Sequence, residues 1–431
     1  MLHDHGFTKP IEHLNLFTKE GDFMNPLYVG IDVSSKTNVV YLMLPNGDKH
    51  SSFSVANSQD GSAQLVKRIL SALTSHSLDT VLIGLEATSV YGDNLVYFLR
   101  EDATLAPFHR KIHVLNPKQV NKFKEAYNDL PKNDSVDSFV IADCLRFGRI
   151  NKEVYLGDYR YKALQNLTRA RYFAVCNLVK EKQRFMNVLF KKYSTMTQEK
   201  VFSDTFSTTA LAVYDEFESA EALADMDLHE LTAFIMEKGK NRFPDPDSVA
   251  KAIQKAARSS YRLPKTVNDS VNQVLSISIT SIKALESQIK EFDKAIAAQM
   301  ELLPDVLTSI PGIGPVYAAG IMAEIGDINR FENHAQLAKY AGLAWTQYQS
   351  GGFEAQTTRL IRSGNRFLKY YLCEAAFSLV RCDKEYSDFY RLKYKEVNRY
   401  QHKRALALTA RKLVRLVFAL LKDNRLYRPA K

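Results

Sequence analysis

The sequence contains few cysteines and lacks any long apolar run. Its four cysteines, Cys144, Cys176, Cys373 and Cys382, form no C-x-x-C pair and have no histidine cluster beside them. This spacing argues against a zinc site or a disulfide framework and favours reduced thiols. No apolar stretch has the length of a membrane span, and residues 1–25 lack the apolar segment of a signal peptide. We therefore expect a cytoplasmic protein.

Negative charge is scarce in the last part of the chain. The 431 residues carry a formal net charge of +10, but residues 355–431 alone contain 19 Lys and Arg against 6 Asp and Glu. A basic block of this kind fits a polyanionic partner such as a nucleic acid. The alternative is a solvated helical surface.

Apolar patterning predicts an α/β domain over residues 27–155, after an N-terminal extension of residues 1–26. Three strands in a meander are followed by alternating helices and strands, which is typical of an RNase H-like domain. The predicted strands are 27–33, 38–44, 51–55, 80–85 and 112–115, and the predicted helices are 59–74, 94–100, 118–127 and 135–146.

The rest of the chain is predicted to be helical. Residues 156–303 contain two long stretches near heptad spacing, which predict either a coiled coil or packing within one chain. Between them lies an insert, at about residues 201–265. Its part 201–237 has nine acidic residues and no Lys or Arg, so we expect it to face away from nucleic acid. Residues 304–431 form a mostly α C-terminal domain.

Four acidic residues of the first domain form a candidate metal site. Asp32 and Glu86 each follow an apolar strand, and Asp134 and Asp137 are spaced to share a helix face. Converging carboxylates repel each other unless cations neutralise them, and hard oxygen ligands suit Mg²⁺ or Mn²⁺. Taken singly, Asp32 could be a turn residue, Asp134 a helix cap and Asp137 an exposed helix residue.

These acids lie in three motifs, at residues 28–34, 85–92 and 132–137. The motifs resemble those of the DEDD transposases of the insertion-sequence one-ten group, which are related to the Piv DNA invertases. The resemblance implies a RuvC-like N-terminal domain in which Asp32, Glu86, Asp134 and Asp137 are catalytic and bind metal. We also predict that Lys132 binds nucleic acid. The chain departs from the family at Asn133, where Thr is usual, and at Ser138, where Ala is usual.

Residues 310–314 read Ile-Pro-Gly-Ile-Gly and open the C-terminal domain with a helix-hairpin-helix signature. Such glycines let backbone N–H groups approach a phosphate beside a helix N-terminus, so Gly312 and Gly314 are predicted to bind nucleic acid. An ordinary helix–helix connection that needs glycine for its geometry is the alternative.

A serine precedes two glycines at Ser350. By itself the segment is a flexible loop, since serine needs activation and no local His or Lys partner is evident. The Ser-Gly loop is followed by a Gly-Asn-Arg element, and this order resembles the C-terminal domain of the same transposases. Trp345 stands where Pro is usual in the family. The resemblance implies that Ser350 attacks the DNA phosphodiester. We predict nucleic-acid contacts at Gly351, Arg359, Arg362, Asn365 and Arg366, the three arginines sharing one face if the segment is helical.

Aromatic residues are interleaved with the basic block that follows. These side chains could stack on unpaired bases or belong to the helical core. They are Tyr386, Phe389, Tyr390, Tyr394 and Tyr400.

The sequence thus predicts a bacterial, nucleoid-associated recombinase that cuts and rejoins DNA at the ends of an insertion sequence and at its target. The resemblance further implies a bridge RNA that pairs with both DNAs, and assembly into homodimers or tetramers. One alternative is a metal-dependent, RuvC-like nuclease or junction resolvase in which water attacks. Others are a DNA invertase and a DNA-binding protein with a decayed catalytic domain.

Overall fold

The computed structural model describes residues 25–87, 90–127, 131, 133–148, 159–199, 201–346, 349–350, 353–354 and 359–428. They form two compact units, one ending at residue 148 and the other starting at residue 159. Every helix in these ranges is too short or too polar to span a lipid bilayer.

The first unit is built on a mixed five-stranded sheet. Its strands are β1 (Pro26–Val33), β2 (Thr37–Met43), β3 (Lys49–Ala56), β4 (Thr80–Glu86) and β5 (His109–Leu115). They lie in the order β3-β2-β1-β4-β5, with β1 antiparallel to β2 and parallel to β4. This meander followed by parallel strands confirms the α/β prediction. The turn between β2 and β3 contains Gly47, whose φ of 94° favours glycine.

Among the described residues of this unit, four α-helices accompany the sheet, namely α1 (Gln59–Ser75), α2 (Asp93–Glu101), α3 (Pro117–Lys124) and α4 (Asp134–Phe147). Helix α4 packs directly on β1, because Gly30 has no side chain. An ideal Cβ at Gly30 would lie 2.0 Å from the carbonyl oxygen of Ser138. Leu27, Val29 and Ile31, which alternate with Gly30 along β1, are fully buried. Both faces of the sheet are therefore covered near β1.

The second unit is organised around two long helices, α5 (Tyr159–Lys192) and a later one that we label α11 (Lys265–Met300). Arg171 pairs with Asp293, and Lys182 contacts Glu286 at 2.7 Å. Along α5 the residue numbers rise from one pair to the next, whereas those of their partners on α11 fall. The two helices therefore run antiparallel. The predicted heptad-like stretches thus pack against each other within one chain.

Between these helices lie α6 (Ser194–Glu199), α7 (Thr208–Glu216), α8 (Ala220–Asp225), α9 (Leu228–Gly239) and α10 (Pro246–Ser259). They share a core with one end of the long pair, and its buried residues include Tyr193, Tyr214, Leu231, Ile253 and Leu275. The insert is therefore a small helical layer with an apolar centre.

The C-terminal part contains α12 (Pro315–Ile325), α13 (His334–Tyr340), α14 (Arg366–Cys382), α15 (Lys384–Lys395) and α16 (Gln401–Asp423). A short hairpin, β6 (Gln349–Ser350) and β7 (Phe353–Glu354), lies between α13 and α14. Tyr371 of α14 packs on Gly320 of α12, where an ideal Cβ would lie 2.3 Å from its ring. The Tyr371 hydroxyl donates to the carbonyl of Thr168 at 2.6 Å, which ties α14 to α5. The unit is mostly helical, as predicted.

Candidate functional site

Asp32 and Glu86 lie at the carboxyl ends of neighbouring parallel strands. The pairing of β1 with β4 places Ile31 opposite Leu85, so Asp32 and Glu86 follow as the next residues in register. Side chains alternate along a strand, and Asp32 therefore shares the face of Gly30, which α4 covers. Glu86 shares the face of Gly84, where an ideal Cβ would meet Leu145 and Ile141 of the same helix.

Helix α4 brings the other two acids to this edge. Asn133 caps the helix, since its Oδ1 accepts from the N–H of Val136 at 2.8 Å. Asp134 therefore does not serve as the cap, and Asp134 and Asp137 both lie in the first helical turn. The structure thus gathers Asp32, Glu86, Asp134 and Asp137, the acidic tetrad, at one edge of the sheet.

The carboxylates of the tetrad influence one another. Burial raises the pKa of Asp32, the charges of Asp137 and Asp134 raise it further, and the Val33 N–H and Lys124 oppose this rise. Burial likewise raises the pKa of Glu86, with further upward contributions from Asp32 and Asp137 and a downward one from Lys124. This mutual repulsion is the electrostatic condition that a bound cation relieves.

The chemistry of the donors fits a hard divalent cation, because every member of the tetrad offers carboxylate oxygen. In the described parts of the chain, however, no three Asp, Glu, His or Cys side chains are arranged to hold one metal ion. Positive charge reaches the tetrad from α3, where Lys124 Nζ donates to Asp137 Oδ1 at 2.6 Å. Sequence reasoning missed Lys124, since no motif marks a lysine that reaches the site from a neighbouring helix.

The segment around Ser350 is a hairpin in the second unit. Ser350 of β6 pairs with Phe353 of β7, and the structure describes the backbone of these two strands. Below the hairpin the chain is held by an antiparallel bridge between Trp345 and Leu360. The N–H of Thr346 donates to the carbonyl of Arg359 at 2.8 Å. The side chain of Ser350, and the predicted contacts Gly351 and Lys132, lie outside the described residues.

Two known sequence families match parts of this chain. Residues 29–193 match the family described as the DEDD transposase of IS110, and residues 305–391 match the transposase family of IS116, IS110 and IS902. The chain belongs to the IS110/IS116/IS900 family of DEDD transposases. It is a transposase, an enzyme of DNA phosphoryl transfer.

Relatives of the transposase span most of its length. The 44.8 kDa protein of insertion element IS116 from Streptomyces clavuligerus is 28% identical over 322 residues, which cover 73% of this chain and 77% of that protein. The 42 kDa protein of IS900 from Mycobacterium paratuberculosis is 24% identical over 410 residues, covering 94% and 98%. Among solved structures, Thermus thermophilus RuvC bound to a Holliday junction covers 30% of this chain and 99% of its own, at 14% identity and a TM-score of 0.22.

The two glycines of the helix-hairpin-helix signature differ in what the transposase requires of them. Gly312 has a φ of 83°, and an ideal Cβ there would lie 2.9 Å from Cys382 Sγ. Gly314, which precedes α12, has a φ of −84° and open space where a Cβ would be. Backbone conformation and packing therefore require glycine at residue 312 but not at residue 314. A substitution of Gly314 can thus test binding without disturbing the fold.

The arginines predicted to share one helical face do not do so. Helix α14 begins at Arg366, and Arg359 and Arg362 precede it in a segment that is not helical. All three are exposed, so they remain candidates for phosphate contacts, but not as one helical stripe.

Asn365 serves the fold of the transposase. Its Oδ1 caps α14, and its Nδ2 donates to Glu324 at 2.7 Å and to the Tyr340 hydroxyl at 3.2 Å. These bonds use the side-chain amide, so we assign Asn365 a positioning role instead of a contact to nucleic acid.

The interleaved aromatics of the basic block divide between core and surface. Tyr386 is buried in the C-terminal core, and the ammonium of Lys412 lies over its ring. Tyr400 is exposed. Tyr386 therefore belongs to the helical core, whereas Tyr400 remains available to a partner.

Proposed function

We propose that this transposase excises and inserts an insertion sequence by a serine-linked exchange of DNA strands. The acidic tetrad holds divalent cations, and Ser350 is the nucleophile. The observation that supports this best is the convergence of Asp32 and Glu86 with the first turn of α4 at one edge of the sheet. Acids that lay on separate surfaces could not act together on one phosphate.

In the proposed step the Ser350 hydroxyl forms a bond to the scissile phosphorus. The bond from phosphorus to the leaving DNA oxygen breaks, and the serine proton ends on that oxygen. Reversal on a second DNA strand rejoins the ends. A divalent cation held by Asp32, Glu86, Asp134 and Asp137 would stabilise the charge on the attacking and leaving oxygens. Exposed Arg359, Arg362 and Arg366 would neutralise DNA phosphates.

Protein–DNA adducts trapped on a nicked element end test the nucleophile. We expect wild type to yield an adduct whose DNA is attached to Ser350, identified by mass spectrometry of the peptide. Ser350→Ala should yield no adduct and no strand exchange, whereas Ser363→Ala, at an exposed serine that follows the hairpin, should behave as wild type. If Ser350→Ala still cuts DNA, water is the nucleophile and the enzyme works as a RuvC-like nuclease.

The guide RNA and the oligomer are parts of the same proposal. A structured bridge RNA would select donor and target DNA, and the basic C-terminal block offers it a surface. A second copy of the chain would pair through a coiled coil, for which α11 offers the exposed Val274 and Ile277. Sequencing of RNA that copurifies with the transposase, and sedimentation of Ile277→Glu beside wild type, test these two points separately.

A further inference from the structure

Three aromatic side chains form a small exposed platform where α5 meets the start of α14. The platform consists of Tyr172, Phe173 and Phe367. The ring of Phe173 lies 5.5 Å from that of Tyr172 and 5.8 Å from that of Phe367, both nearly edge-on. Tyr172 and Phe367 are themselves 5.2 Å apart at 85°. The rings therefore hold one another in place, yet Phe173 remains 47% exposed.

Arginines flank this platform. The guanidinium of Arg366 lies 4.7 Å from the centroid of Phe367 and 5.5 Å from that of Phe173. A second guanidinium, that of Arg169, lies 4.5 Å from Phe367 and is fixed by a two-point bond to Glu324. Arg169 is paired with the buried Glu324 carboxylate, whereas Arg366 is exposed, so Arg366 makes the exposed rim of the platform positive.

This combination selects among possible ligands. An exposed aromatic face beside a fixed cation suits a planar π system that carries negative charge, which describes a nucleobase on its phosphodiester chain. In a duplex the faces of each base are covered by its neighbours in the stack, so only an unpaired base offers a face to Phe173. A protein partner fits less well, because the exposed apolar area is about one ring and its rim is charged.

We propose that Phe173, supported by Phe367 and Arg366, is a stacking site for an unpaired nucleobase of a single strand. Arg366 neutralises the adjoining phosphate. Because Arg366 and Phe367 open α14 soon after the bridge that anchors the Ser350 hairpin, a strand held here is bound by the same part of the chain as that hairpin. The site goes beyond the proposed reaction and does not depend on Ser350 being the nucleophile.

The test measures binding by the full chain without divalent cations, so that no phosphoryl transfer contributes. Fluorescence anisotropy would follow a single-stranded DNA, a single-stranded RNA of the same sequence and a duplex DNA. We expect Phe173→Ala to weaken binding of at least one single strand by about tenfold, and to change duplex binding by less than about twofold. Phe190→Ala, at a second exposed phenylalanine of α5, 45% exposed, is the matched control and should bind all three as wild type.

Further variants keep the outcome decisive. Phe173→Leu retains apolar bulk without a π face and should show most of the loss, whereas Phe173→Trp should bind at least as tightly as wild type. A 2-aminopurine in the bound strand should be quenched by wild type and not by Phe173→Leu. The proposal fails if Phe173→Ala and Phe190→Ala weaken binding equally, if duplex binding falls as much as single-strand binding, or if self-association is lost while binding is unchanged. That last result would identify a protein interface.

Discussion

The carboxylate of Glu324 on α12 accepts two hydrogen bonds from the guanidinium of Arg169 on α5, at 2.7 and 2.8 Å. Glu324 is only 2% exposed and also accepts from the side chains of Asn365 and Gln165. One buried charge thus joins α5, α12 and the N-terminus of α14. The same network fixes one guanidinium against the aromatic platform.

Replacing this carboxylate should destabilise the helical unit. Glu324→Gln removes the negative charge from this ion pair with Arg169. We expect a loss of about 2 kcal/mol in the free energy of unfolding, less than for a fully enclosed pair because Arg169 is partly exposed. Urea unfolding followed by the fluorescence of Trp345, the single tryptophan, measures it. Glu291→Gln removes an exposed pair with Lys294 and should cost less than about 0.5 kcal/mol. Equal losses would contradict the assignment.

Lys124 and a divalent cation should compete for the tetrad. We expect Lys124→Met to lower the unfolding free energy in cation-free buffer by about 1 kcal/mol, since Asp137 loses its partner and the carboxylates repel one another. The same variant should gain more thermal stability than wild type when Mg²⁺ is added, because the ammonium no longer occupies Asp137. Calorimetric melting over a Mg²⁺ series measures both effects. Lys122→Met, at an exposed lysine of the same helix, should match wild type; a smaller Mg²⁺ response in Lys124→Met would refute the competition.

Lys192 should give the insert a distinct pH dependence. Its ammonium is buried and donates to the carbonyls of Tyr214 at 3.0 Å and Phe217 at 2.5 Å. Burial lowers its pKa from 10.5 to about 8, against the opposing charges of Asp215 and Glu218. Between pH 8 and 10.5 the unfolded chain therefore binds more protons at this lysine than the folded chain does. The contribution of Lys192 to unfolding free energy thus rises with pH across this window, by up to roughly 3 kcal/mol.

The measurement for Lys192 is the difference between wild type and Lys192→Met in urea unfolding at pH 7.5, 9 and 10. That difference removes the titration of other lysines and tyrosines, and it should grow in favour of wild type as pH increases. Lys191→Met, at an exposed neighbour, should show a difference that does not change with pH. A flat difference for Lys192→Met would mean that the buried ammonium titrates as it does in water.

The two glycines of the hairpin should separate folding from binding. Gly312→Ala should lower the free energy of unfolding by about 2 kcal/mol, because a φ of 83° and contact with Cys382 disfavour a side chain. Gly314→Ala should change stability by less than about 0.5 kcal/mol, but weaken duplex binding if backbone N–H groups at the start of α12 contact a phosphate. Thermal melting and a duplex-binding isotherm together decide this. Unchanged duplex binding in Gly314→Ala would favour the ordinary helix connection.

Local sequence signals predicted the first unit well. Features that depend on contacts between distant residues, or on very short strands, could not be predicted. The strands that carry Asp32 and Glu86, and the helix that carries Asp134, were predictable because apolar periodicity and strand ends are local properties. The Ser350 hairpin was not, since strands of two residues carry no periodicity. The aromatic platform was missed because Phe173 and Phe367 come together only when α5 packs on α14.

The contact between Gly30 and α4 has a consequence for the proposed metal site. A hydrogen at residue 30, in place of any side chain, sets how low the helix lies on the sheet, and that height fixes the gap between the strand-end acids and those of the helix. The spacing of the proposed metal ligands is thus set from within the core, by a residue that has no chemistry of its own. Adding one methyl group at residue 30 would increase the distance between the two acids on the strands and the two acids on the helix, without altering any of the four carboxylates.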